Sequence, residues 1–121
     1  DRTLLTSIGT KMREIDSDIW AKYIIKNCRD LENVVIDDLR YQNEYRYLIE
    51  NNFKIIVLTL PVEIQIERIM KLYPENYQDH LNNMFHVSEK GIDFIDNDCL
   101  NIDMSQDIET IRDIIYKFLM T

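Results

Sequence analysis

Residues 53–58 read Phe53-Lys54-Ile55-Ile56-Val57-Leu58, and an earlier run, residues 33–38, reads Asn33-Val34-Val35-Ile36-Asp37-Asp38. Both are rich in β-branched residues and predict strands. The later run is almost continuously apolar rather than alternating, as expected for a strand covered on both faces in a parallel sheet. Each run leads into a helical pattern. Tyr41 to Asn51 places Tyr45, Leu48 and Ile49 on one face. Pro61 suits the first turn of a helix running to Leu72, with Val62, Ile66, Ile69 and Met70 inward. Strand–helix–strand–helix order implies right-handed parallel crossovers, so the expected fold is α/β, an open parallel sheet flanked by helices.

Working outward, Thr3 to Met12 carries Leu4, Leu5, Ile8 and Met12 at helical spacing, and Gly9-Thr10 reads as that helix's end, with glycine as its C-cap. Ser17 is a candidate N-cap for a second helix burying Ile19, Trp20, Tyr23 and Ile24. A third strand is expected at Asp93-Phe94-Ile95 and its neighbours. The last helix, capped by Ser105, aligns Ile108, Ile111, Ile114, Ile115, Phe118 and Leu119 in one stripe. Residues 74–92 are polar without a clean period and form a candidate lid segment.

A length of 121 residues suits a single domain, or most of one, and 45% hydrophobic residues exclude a disordered chain. The net charge of -8 disfavours a nucleic-acid polymer as partner, because phosphate backbones are held by clustered Lys and Arg. No apolar run approaches the ~20 residues that span a membrane. Cys28 and Cys99 have neither zinc-site nor disulfide-framework spacing, so a reducing cytoplasm is the expected location.

In open parallel sheets, ligands bind beyond the carboxyl ends of the strands. Those ends here hold Asp37-Asp38-Leu39-Arg40, Thr59-Leu60-Pro61 and Asp96-Asn97-Asp98. An acid so placed can hold magnesium through water, and an arginine beside it can fork onto a phosphate. Strand ends are also solvated, and acids there often only cap the next helix. Arg68 and Lys71, three apart on one helix, are within reach of a phosphate or simply solvated. Trp20 on an apolar helix face is more often core than a base-stacking platform. His80 and His86 lack a third ligand at metal-site spacing.

Taken in order, several short motifs resemble the deoxynucleoside monophosphate kinases of tailed phages and large DNA viruses. They are Arg2, Gly9-Thr10, Asp16 to Trp20, Asp38-Leu39-Arg40, Glu44, His86-Val87-Ser88-Glu89 and Asn97-Asp98. The resemblance covers nearly the whole chain and implies a P-loop kinase fold that transfers a phosphoryl group from ATP, with Mg2+, to a deoxynucleoside monophosphate. It implies catalytic roles for Asp38, Arg40 and Arg68. It places Arg2, Gly9, Thr10, Trp20, Asn43 and Glu44 around the monophosphate, and Asn97 and Asp98 toward the adenine of ATP. No residue is assigned as a direct metal ligand. A viral or phage source would put the protein in the host cytoplasm, and a homodimer is compatible with the family.

Such a kinase needs a Walker A loop, G-x-x-x-x-G-K-[ST], whose amides cradle phosphates. The only glycines are Gly9 and Gly91, so the chain is expected to be the C-terminal portion of the kinase, with the loop upstream of Arg2. Cys99 also follows the Asn-Asp pair where a glycine is common in the family. Two other readings stand beside this one. One is a P-loop kinase for another small phosphorylated acceptor. The other is a catalytically inactive, degenerate kinase-fold module that binds or interacts.

Overall fold

Ile55–Thr59 forms strand β1 and Cys99–Asp103 forms strand β2, and the two pair in parallel with Ile55 opposite Cys99 and Thr59 opposite Asp103. The computed structural model describes residues 1–83, 91–94 and 99–121. Helices α1 (Arg2–Ile15), α2 (Ile19–Cys28) and α3 (Gln42–Glu50) precede the sheet. Between the strands come α4 (Val62–Leu72) and α5 (Tyr77–Asn83), and α6 (Ile108–Leu119) ends the chain. The protein is therefore mixed α/β with a small parallel sheet. Among the described residues no helix is long and apolar enough to cross a membrane. The chain forms two compact units, Asp1–Phe53 and Lys54–Thr121.

In the first unit, α1 packs on α2 and α2 on α3, and Ala21, Tyr45 and Leu48 are buried. Helix α1 starts where the Asp1 carboxylate accepts from the N–H groups of Thr3 and Leu4. It runs through Gly9 without a break, so Gly9 is an interior residue and not the expected C-cap. Helix α2 begins after Asp18 rather than after Ser17. The end of α3 is a Schellman motif: Phe53 N–H donates to Leu48 C=O and Asn52 N–H to Ile49 C=O. That closure needs a left-handed residue, and Asn52 supplies it at φ 64°.

Residues 33–40, including the expected strand at Val34 to Asp38, are irregular and pair with no strand. β-Propensity expresses fit to a pleated, half-covered surface, not a backbone preference. Val35 is 92% exposed and has no such surface. The partner of β1 is instead Cys99-Leu100-Asn101-Ile102-Asp103. The third strand expected at Asp93-Phe94-Ile95 is not formed at Asp93 and Phe94, and Ile95 lies outside the described residues.

The second unit is built around Ile55, Ile102 and Ile111, all buried, with α4 packed against α5. In α4, Ile66 and Ile69 are half-buried as expected, whereas Val62 and Met70 are exposed. Past the strand ends, Met104 N–H donates to Thr59 C=O, and the Thr59 hydroxyl donates to Ile102 C=O. Lys54 donates through Nζ to the carbonyls of Phe118 and Leu119, satisfying groups a helix leaves unpaired at its C-terminus. The N-cap of α6 is Asp107, not Ser105. Its carboxylate accepts from the Thr110 N–H and hydroxyl, while Ser105 bonds to Asp103.

Ile102 is 1% exposed in a strand with only two aliphatic residues. Ile102→Ala is expected to destabilise the protein by roughly 2–5 kcal/mol in urea unfolding. A change under about 0.5 kcal/mol, the range of surface substitutions, would show that the β2 register is wrong.

The Thr110 hydroxyl and N–H hold the Asp107 carboxyl below its ordinary value. A depressed folded-state value stabilises the protein above the unfolded value, near pH 4, and the contribution is lost as pH falls through the folded value. An asparagine caps nearly as well but carries no charge to meet the helix dipole. The melting temperature of the wild type should exceed that of Asp107→Asn at pH 7, and the gap should close toward pH 2. A gap independent of pH would refute the charged cap.

Candidate functional site

The candidate residues of the first unit gather where the irregular run ends and α3 begins. Tyr41 is the N-cap of α3, in extended backbone, and Glu44 occupies the third helical position. One carboxylate oxygen of Glu44 accepts from the backbone N–H groups of both Arg40 and Tyr41, each at 3.3 Å. This is the reaching-back half of a capping box, and it fixes the backbone that carries Arg40. The Arg40 Nε donates to the Asp38 carboxylate, closing a side-chain loop two residues wide. Asp38 is 72% exposed and Arg40 35%, so the acid faces solvent while part of the arginine stem is covered.

The second oxygen of Glu44 accepts from Nη2 of Arg13 at 3.5 Å. Arg13 lies on α1, and its guanidinium sits 4.1 Å from the centre of the Tyr41 ring. A cation over an aromatic face is attracted by the ring quadrupole. Among the described residues, the buried Nε of Arg13 has no hydrogen-bond partner. Gly9, one turn earlier on α1, leaves room for this group: a Cβ there would stand 3.2 Å from Arg13 Nη1.

Two further side chains tie the helices. The Trp20 indole N–H donates to the Gly9 carbonyl at 3.4 Å, which joins α2 to α1. Asn43 donates to the Ser17 carbonyl at 2.6 Å and to the Asp18 carboxylate at 2.8 Å, which joins α3 to the start of α2. Nearby, Lys22 bonds to Asp16 at 2.9 Å. That bond and the Asp18 N–H lower the Asp16 carboxyl from its ordinary value.

The structure thus brings Asp38, Arg40 and Glu44 together, and Gly9 with Trp20. Asn43 binds the entry to α2. Thr10 donates its hydroxyl to the Thr6 carbonyl within α1, and Arg2 is exposed at that helix's first position. Arg68 belongs to the second unit, where it donates to the Met104 carbonyl. His80 stacks on Tyr73 with ring centres 3.9 Å apart. Asn97 and Asp98, like His86 and Glu89 of the candidate lid, lie outside the described residues. Among the described residues no group of three or more His, Cys, Asp or Glu could hold a metal ion.

Sequence reasoning missed Arg13. A helical arginine in a polar stretch looks solvated. The available signal was its position one turn after Gly9, where the glycine clears space for a large side chain.

No protein-family model, no curated protein and no solved structure matches this chain.

Removing the Glu44 carboxylate leaves the Arg40 and Tyr41 N–H groups without their acceptor. Glu44→Ala is expected to lower stability by about 0.5–2 kcal/mol, the usual cost of a lost helix cap, read by thermal or urea unfolding. An unchanged midpoint would mean that these bonds are not formed in solution.

Proposed function

We propose that this chain is the C-terminal portion of a P-loop kinase that transfers a phosphoryl group from ATP to a deoxynucleoside monophosphate. The observation that carries the reading is the Asp38–Arg40 pair, held on a turn whose backbone is fixed by Glu44. Phosphoryl transfer needs little covalent help from a protein. Its barrier is lowered by positioning and by fixed charge around the moving phosphate. An arginine on an immobilised backbone meets that need, because its planar fork makes two parallel bonds to phosphate oxygens. Asp38 aligns the guanidinium through Nε.

Magnesium suits a site with one or two carboxylates that shares the ion with substrate phosphates. Asp38, a single exposed carboxylate, fits that requirement and would hold the ion through water. The ion would supply neutralisation of phosphate charge. Arg40 would bind the acceptor phosphate, and Glu44 would keep Arg40 from shifting. The Trp20 indole N–H is occupied by Gly9, so Trp20 would meet a base only through its ring. The order of Arg2, Gly9-Thr10, Trp20, Asp38, Arg40 and Glu44 along the chain supports this reading over a kinase for another acceptor.

The decisive experiment uses the full-length protein from its complete reading frame, assayed with ATP, magnesium and each of the four deoxynucleoside monophosphates. The reading expects a G-x-x-x-x-G-K-[ST] loop upstream of Arg2 and formation of a diphosphate from at least one acceptor. Absence of both would favour a degenerate binding module. In the active protein, Arg40→Lys should lower kcat by at least ~10-fold, equivalent to ~1.4 kcal/mol of transition-state stabilisation. Its stability should stay within about 0.5 kcal/mol of wild type. Asp38→Asn should lower turnover in a manner that depends on magnesium concentration. Loss of folding with intact turnover per folded molecule in Arg40→Lys would make Arg40 structural and end this assignment.

A further inference from the structure

We infer that Arg13 is a positioning residue that orders the Arg40 turn by orienting the Glu44 carboxylate. The inference rests on the reading of Arg40 as a phosphate-binding residue, but its geometry stands by itself. Glu44 is only 14% exposed, so its negative charge has lost most of its water and needs a partner. Two backbone N–H groups meet one oxygen, and Arg13 is the cation that meets the other. Without that cation the carboxylate would gain by turning toward water, and Arg40 and Tyr41 would lose their shared acceptor.

Arg13 is held in turn on two sides. Its guanidinium lies against the Tyr41 ring, and Gly9 leaves the space for Nη1 that any side chain would narrow. Tyr41 is itself one of the two residues whose N–H the Glu44 carboxylate receives. Arg13 therefore touches this turn twice, through the ring of Tyr41 and through Glu44. Its buried Nε, without a partner among the described residues, shows that the position does not optimise the arginine's own hydrogen bonding. Its ion pair with Glu44 and its stack on Tyr41 both lie at the start of α3. A lysine carries the same charge, but its ammonium is not planar and cannot both stack on Tyr41 and fork toward Glu44.

The test compares wild type, Arg13→Lys and Arg13→Met in the full-length protein by amide hydrogen exchange and by steady-state kinetics. Exchange at the Arg40 and Tyr41 amides should quicken by about 10-fold or more in Arg13→Met, with amides in the body of α3 little changed. Arg13→Lys should restore only part of the protection. Kinetically, Arg13→Met should lower kcat about 10-fold with a much smaller change in KM, and should have no further effect in an Arg40→Ala background. A residue that merely supported the fold would speed exchange throughout the unit and would act equally in both backgrounds. Unchanged protection at Arg40 and Tyr41 overturns the inference, whatever the activity. Faster exchange at those amides in a protein whose wild type transfers no phosphate upholds the positioning role and refutes the kinase reading instead.

Discussion

The carboxylate of Glu44 settles how the first unit is organised around its only long irregular run among the described residues. A helix begins with N–H groups that have no partner inside it, and the residues ahead of it have no ladder to join. Glu44 answers both needs by accepting from Arg40 and Tyr41 with one oxygen. Its other oxygen draws in Arg13 from α1, so a local cap also joins two helices that are distant in sequence. Asn43, the neighbouring residue, does the same toward α2 through Ser17 and Asp18. The first turn of α3 thus carries the polar ties to both other helices, while Tyr45 and Leu48, one and two turns on, carry the burial.

Much of this was legible in the sequence, though for reasons that differ between residues. Helix α3 and its inward face followed from Tyr45, Leu48 and Ile49, because helical periodicity depends only on local spacing. Asp38 and Arg40 stood out because a short polar cluster after an apolar run suggests a site, whereas Glu44 was marked only by the family resemblance. The residue that completes their network, Arg13, lies 31 positions from Glu44. No local pattern announces such a pairing. Only a fold brings α1 and α3 to the same place, and only then does Gly9 read as room for a guanidinium.

The strands teach the complementary lesson. Val34-Val35-Ile36 has the composition of a buried strand, yet Val35 is almost fully exposed and the run is unpaired. Cys99-Leu100-Asn101-Ile102-Asp103 looks too polar for a sheet centre, yet it pairs with β1 along its whole length. Pairing is a property of two segments, and composition describes one. Ile102 stands opposite Leu58 in register, and alternation along the strand puts it on the face away from Asn101 and Asp103. The last helix shows the same limit on a smaller scale. Its apolar stripe was plain, but Ser105 was passed over as cap because Asp103 had already engaged it.

The second unit also presents more apolar surface than a parallel sheet usually leaves uncovered. Both faces of such a sheet are normally packed, which is why β1 is almost wholly apolar. Here Leu58 is exposed near the carboxyl end of β1, and Val62, Met70 and Leu72 are exposed along α4. Two strands alone make a marginal sheet in water. β1 and α4 therefore carry more apolar surface than the described residues cover. Within the first unit, polar groups are matched more closely: the charge network of Arg13 and Glu44 caps α3, fixes the Arg40 backbone and ties α3 to α1.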